Sequence, residues 1–234
     1  MRAIWLASAI YVVVALRSFT PAKELDKTPS DEFAAIVERL ACNQAALRRF
    51  CWKMRTEVSV NGRITKIADD LCRYGPDGTV YKTPVGTPTP RDSAQGLRRR
   101  KIEAKPDEIQ DSLDAAILLT QDYVPLLPKR MEELFEAASG LFVTKRGSDE
   151  IQLQFRDFVK RGDFVALSFD SQNKSVRAID VTSYLTDQTD VVTLHVAFET
   201  LPDGTTYAAS TNLKAAGRQI GIKTENMDYR RVWQ

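Results

Sequence analysis

The stretch FCWKMRTEVSVNGRITKIADDLCRYGPDGTVYKT, residues 50–83, predicts three antiparallel strands. Asn61-Gly62 marks a two-residue type I′ turn, because both residues accept positive φ at low cost. With that turn, Val60 faces Arg63. The ladder then runs outward through Ser59:Ile64, Glu57:Lys66, Arg55:Ala68, Lys53:Asp70 and Cys51:Cys72. Opposite charges across a ladder contribute roughly 0.2–1 kcal/mol each. The other face carries Trp52, Met54, Thr56, Val58 and Val60 against Leu71, Asp69, Ile67, Thr65 and Arg63. Its apolar members are expected in the core, with Asp69 beside Met54. Cys51:Cys72 falls at a non-hydrogen-bonded position, where side chains approach closest, so a disulfide is expected there. Two free thiols are the competing reading, and one bulge between the turn and the cysteines would break the count.

The chain opens MRAIWLASAIYVVVALRSFTPAKELD. Arg2 gives a positive start, and Ile4–Leu16 is an uncharged apolar run. That run is shorter than the roughly 20 residues a membrane helix needs and fits a secretory signal. Thr20 and Ala22 are small residues before Lys23, so residues 1–22 are expected to be a signal peptide. Arg17 departs from the pattern and leaves a retained anchor as the alternative. No cysteine follows closely, unlike a lipoprotein signal. Loss of residues 1–22 removes Arg2 and Arg17 and no acidic residue, which takes the formal net charge from +2 to zero. A neutral chain gives no reason to expect nucleic acid as a partner. Of the three cysteines, Cys42 lies in a helical stretch and is expected to be buried.

Residues 23–234 read as one α+β domain. Thr28-Pro29-Ser30-Asp31 starts a helix with Phe33, Ile36, Val37, Leu40 and Leu47 on one face. Residues 84–105 form an irregular, basic and proline-rich loop. The role of its basic stretch at 91–101 is left open, a solvated loop weighing more than a phosphate or lipid grip. Pro106-Asp107-Glu108 starts a second helix with Ile109, Leu113, Ala116, Ile117 and Thr120 inward. A shorter helix follows Pro128, with Met131, Leu134, Phe135 and Ala138 on one side, and Gly140 stops it. Strands are then expected at Ile151–Phe155, Phe164–Asp170, Lys174–Tyr184, Val191–Glu199, Thr205–Thr211 and Ile220–Thr224. PDGTVY (76–81) and PDGTTY (202–207) both read as turns between strands.

Chemistry-bearing patterns are sparse. The single histidine, His195, falls on the outward side of its strand. No Gly-x-Ser-x-Gly, phosphate loop or zinc-ligand spacing occurs. Asp69 and Asp70 point to opposite faces of a strand and cannot act as a pair. No catalytic residues, metal site or cofactor are therefore expected.

The order of signal segment, amphipathic helix, antiparallel strands, helical insertion and further antiparallel strands resembles the LolA/LolB/RseB-like half-barrel group of periplasmic proteins. The segments YGPDGTVYKTPVG (74–86), QGLRRRKIEAKPDEI (95–109), KRGDFVALSFD (160–170) and VTSYLTDQTDVVTLHVAFETLPDGTTYA (181–208) are similar to uncharacterised exported bacterial proteins. The resemblance implies a curved antiparallel sheet packed on an N-terminal helix, with a two-helix insertion. It also implies a periplasmic or secreted, non-enzymatic binding module. A lipid or lipoprotein acyl chain would occupy its apolar concavity, and membrane contact would come only through the signal or anchor segment. Candidate lining residues are Trp52, Met54, Val58, Phe169, Leu194 and Phe198, with core packing as the competing reading of each. An envelope protein-protein interaction or stress-sensing module on the same fold is the alternative. The lipobox cysteine of a LolB-type protein is missing.

Overall fold

The computed structural model describes residues 29–75, 79–86, 106–136, 140–144 and 149–232. Residues 1–28 with the expected signal segment and Thr28, residues 76–78 with the turn expected there, residues 87–105 with the basic stretch, and Ala138 lie outside them. The side chains of Leu134 and Phe135 do too.

Helix α1 is Pro29–Leu47, followed by strands β1 (Phe50–Val60), β2 (Arg63–Tyr74) and β3 (Val80–Pro84). Helices α2 (Pro106–Tyr123) and α3 (Pro128–Glu136) come next. Seven strands complete the described chain: β4 (Gly140–Thr144), β5 (Glu150–Arg156), β6 (Phe164–Asp170), β7 (Val176–Tyr184), β8 (Val191–Thr200), β9 (Thr206–Ala215) and β10 (Ile220–Arg231). All ten form one curved, open antiparallel sheet in the order β3-β2-β1-β10-β9-β8-β7-β6-β5-β4. The expected α+β class holds. The helical insertion leaves from one edge strand, β3, and re-enters at the other, β4.

The register accounts for the main departure from expectation. Asn61 and Gly62 take positive φ (53° and 72°), as the turn requires. Val60 faces Arg63 and Ser59 faces Ile64. A bulge then intervenes, so Val58 faces Lys66, Arg55 faces Asp69, Met54 faces Asp70 and Trp52 faces Cys72. Cys51 faces Arg73 instead of Cys72. Neighbouring positions on a strand point to opposite faces, so the expected disulfide does not form, and both thiols are free. The expected charge pairs go with it. Lys53 bonds Asp228 of β10 at 2.9 Å, and Glu57 lies 3.6 Å from Arg55. Asp69 moves to the Arg55 face, 3.9 Å from that guanidinium, and is exposed. Leu71 is 45% exposed for the same reason.

The inner face of the sheet carries the main core. From α1 come Phe33, Ile36, Val37 and Leu40, at the expected helical spacing. They meet Leu153, Leu167, Phe169, Ile179, Leu194 and Leu213 from the strands, with Ala116, Leu119 and Tyr123 of α2 and Met131 of α3. Of the expected α2 face, Ala116 is buried and Leu113 packs against the core, but Ile117 is 44% exposed and Leu119 and Tyr123 are buried as well. Cys42 is exposed, not buried.

The loop between β5 and β6 is organised by a buried carboxylate. Asp163 accepts bonds from the backbone N–H groups of Phe158 (2.6 Å), Val159 (2.9 Å) and Lys160 (3.1 Å). Tyr123 donates its hydroxyl hydrogen to the same carboxylate at 2.6 Å and lies 3.1 Å from Ser183 Oγ. The end of α2 is thereby tied to the sheet.

Strand β3 is a short edge. Gly75 N–H bonds Thr79 O and Val85 N–H bonds Asp69 O, each at 2.8 Å. By alternation, Val80, Lys82 and Pro84 turn their backbone groups away from β2. Pro84 has no N–H to offer, and Lys82 places a charge mid-edge, both of which discourage pairing with another chain.

Candidate functional site

Strand alternation puts Trp52, Met54, Thr56 and Val58 on the same sheet face as the main core, because Val58 faces Ile222 and Thr56 faces Thr224 on β10. This face also carries a second, separate cluster of buried residues, Trp52, Met54 and Cys72. Tyr74 and Tyr229 pack against it.

The cluster is built around one indole. Trp52 stacks on Tyr229 with 5.4 Å between ring centroids and 6° between planes. Its other neighbour is Tyr74 at 5.1 Å. Tyr229 also meets Tyr207 at 4.3 Å and the edge of Phe50 at 6.2 Å. Four strands, β2, β1, β10 and β9, thus contribute to one aromatic array, a kind of contact worth about 0.5–1.5 kcal/mol per pair beyond burial. Trp52 Nε1 donates to Asn226 Oδ1 at 3.0 Å, and Asn226 Nδ2 donates to Ala208 O at 2.8 Å. The indole N–H is therefore satisfied and its ring angle fixed across three strands.

The cluster is apolar in character. Burial pushes the Cys72 thiol up to about 11. Burial also raises the Tyr74 and Tyr229 phenols above their ordinary range. Polar groups border it on β2, where Asp70 faces Met54 and Lys66 faces Val58. Arg231 lies over the Phe50 ring at 5.8 Å and bonds Asp203 at 2.7 Å.

The six expected lining residues do not form one group. Trp52 and Met54 lie in the second cluster and are themselves buried, at 5% and 8% exposure. Phe169 and Leu194 are completely enclosed in the main core at 0% and 1% exposure, and Phe198 is half-buried against it. Val58 is buried between the two, opposite Ile222. Tyr74, Tyr207, Asn226 and Tyr229 are the members the sequence reading left out. A bulge in the β1–β10 pairing and positive φ at Asp228 (56°) interrupt alternation just before Tyr229.

No family model and no curated protein matches the chain. Solved structures similar to it include the following three. A DUF1329 family protein from Desulfovibrio piger is 12% identical, covering 86% of this chain and 92% of that one, with a TM-score of 0.44. A LolA superfamily protein from Nitrosomonas europaea is 11% identical, covering 86% and 94%, with a TM-score of 0.37. An outer membrane lipoprotein-sorting protein domain from Vibrio parahaemolyticus is 13% identical, covering 83% and 91%, with a TM-score of 0.38. Among the described residues, no helix is long and apolar enough to cross a membrane, and no group of three or more His, Cys, Asp or Glu residues is placed to hold a metal ion.

Proposed function

We propose that this chain is a non-enzymatic binding module of the bacterial envelope, periplasmic or secreted, that holds a lipid or lipoprotein acyl chain against the Trp52 end of the inner sheet face. The observation that carries this reading is the second apolar cluster, separate from the main core on the same face. The contacts of α1, α2 and α3 already account for Phe169 and Leu194. Trp52, Met54 and Val58 are the lining residues retained, joined by Tyr74 and Tyr229. Lys66 and Asp70 at the border suit a ligand with an apolar body and a polar end.

The test is direct. Delipidated protein is titrated with a fluorescent fatty acid, and Trp52 emission is followed against a Trp52→Phe control that removes this signal from the three tryptophans. Saturable quenching at one equivalent is expected. No uptake by the delipidated protein, together with no lipid in native mass spectra of protein purified from its envelope, would end the acyl-chain reading.

A second reading, an envelope protein-protein interaction module, has its own observation. Leu71, Tyr81 and Val85 are 45%, 51% and 51% exposed near the β3 edge. Arg73 stands directly across from Tyr81. Exposed aromatic and Arg side chains are the types enriched at protein interfaces. This reading predicts one stoichiometric cross-linked envelope partner that Leu71→Asp abolishes while fatty-acid uptake is unchanged.

A further inference from the structure

On the outer face, away from the apolar cluster, the ladder lines up two adjacent cross-strand rows. One runs Asp180, His195, Asn212, Lys223 and Glu57 across β7, β8, β9, β10 and β1. The other runs Thr182, Thr193, Lys214, Gly221 and Ser59 across the same strands. Acidic residues occur only at the two ends of the first row. Between them lies a block without acids: His195, Asn212 and Lys223 beside Thr193, Lys214 and Gly221. Neighbours in such a block are roughly 5 Å apart across strands and roughly 7 Å apart along them, so their side-chain tips reach one small group.

Two depressions meet here. One of ≈220 Å³ lies by Asp180, Thr193 and His195. The other, of ≈570 Å³, extends over Gly221, Ile64 and Ala216 toward the Asn61-Gly62 turn. Asn212 and Lys214 line both. The Ser59 hydroxyl packs directly against Gly221, where an added Cβ would meet it at 2.6 Å, and donates to Gly221 O at 3.3 Å.

The two flanking side chains, His195 and Lys223, are already engaged. His195 Nδ1 is 2.7 Å from Asp180 Oδ1, which fixes the ring and leaves Nε2 free to face a ligand. Lys223 bonds Glu225 at 2.6 Å. Lys214 is exposed, and among the described residues it makes no ion pair. We propose that this block is a binding site for an oxyanion, a phosphate or carboxylate group, carried by a small molecule whose body lies over Gly221 and Ile64. Lys214 supplies the charge, the Asn212 amide and Thr193 hydroxyl supply donors, and His195 is held ready by Asp180.

The probes are inorganic phosphate and acetate, titrated at constant ionic strength into 15N-labelled protein. Saturable shifts are expected at Thr193, His195, Asn212, Lys214 and Gly221. Lys214→Met is expected to weaken the response at least tenfold, and Asn212→Asp to do the same. Lys129→Met, which alters an exposed lysine on α3, is expected to change nothing. Competition by phosphatidylglycerol vesicles at the same amides assigns the group to a lipid headgroup, and its absence assigns it to a soluble molecule. Shifts that never saturate, or that survive Lys214→Met unchanged, overturn the proposal.

Discussion

Replacing Asp163 should destabilise this protein more than any other single polar change in the loop it organises. Its side chain takes three backbone N–H bonds and the Tyr123 hydroxyl in a site that is 2% exposed. Asp163→Ala strands those donors. A buried donor left unsatisfied costs about 1–3 kcal/mol. Tyr123 keeps Ser183 as a neighbour at 3.1 Å, and Val159 and Lys160 are only half-buried, so part of the loss is recovered. The expected cost is about 3–5 kcal/mol, the range for breaking a buried charged network. Tyr123→Phe leaves all three backbone bonds intact and removes one bond to a carboxylate, for about 1.5–3 kcal/mol. Urea unfolding measures both, and with a slope of about 2 kcal/mol/M the Asp163→Ala midpoint should fall by roughly 1.5–2.5 M. The double variant should cost less than the sum of the two, because both changes remove the same bond. Strict additivity, or an Asp163→Ala cost below about 1 kcal/mol, would mean that water reaches this carboxylate in solution.

Thiol chemistry separates the three cysteines. Iodoacetamide should modify exposed Cys42 first, half-buried Cys51 next and Cys72 last, since burial raises the Cys72 thiol to about 11 and reactivity follows the thiolate. Peptide mapping of the oxidised protein should find no Cys51–Cys72 linkage. Alkaline stability follows from the phenols. Tyr74, Tyr123 and Tyr229 are raised by burial, and Tyr123 further by its bond to Asp163. Unfolded tyrosines ionise near pH ~10 while these stay protonated when folded. The folded state then holds more protons, so stability present below that pH is lost as pH rises above it. Thermal melts from pH 8 to 11 should show this fall, with a shallower slope in Tyr229→Phe. Gly62→Ala places a Cβ at positive φ and should cost about 1 kcal/mol without altering ligand uptake, read by the same melts and the fatty-acid titration.

Elements with strong local signals were legible in the sequence. The Asn61-Gly62 turn, the α1 stripe and the alternation in Val191–Glu199 each depend on residues close in the chain, and each is where it was expected. The pairing beyond the bulge was not legible, because nothing in the residues around Thr65 distinguishes a bulged strand from a regular one. Thr65 itself bonds Val58 O through its hydroxyl at 3.3 Å, a contact that exists only once the bulge has formed. That one extra residue moved Leu71 and Asp69 outward and brought Cys72 under Trp52. Strand β4 was missed because Gly140 read as a helix stop. The later half of β10 was missed because its pattern is broken near Asp228, and with it went Tyr229.

Both faces proposed to bind share strand β10, which ties them to a single register. Ile222 faces inward against the core while Gly221 and Lys223 on either side face out. A slip of one residue would bury Lys223 and turn Gly221 to the wrong side. The bond from Trp52 to Asn226, and from Asn226 to Ala208, opposes that slip across β1, β10 and β9. Asn226→Leu therefore discriminates between two accounts of the indole. If Trp52 only fills space, the variant loses stability and nothing else. If Trp52 also holds the register, amide shifts at Lys214 and Gly221 on the opposite face should move as well, although neither residue touches Asn226 across the ladder.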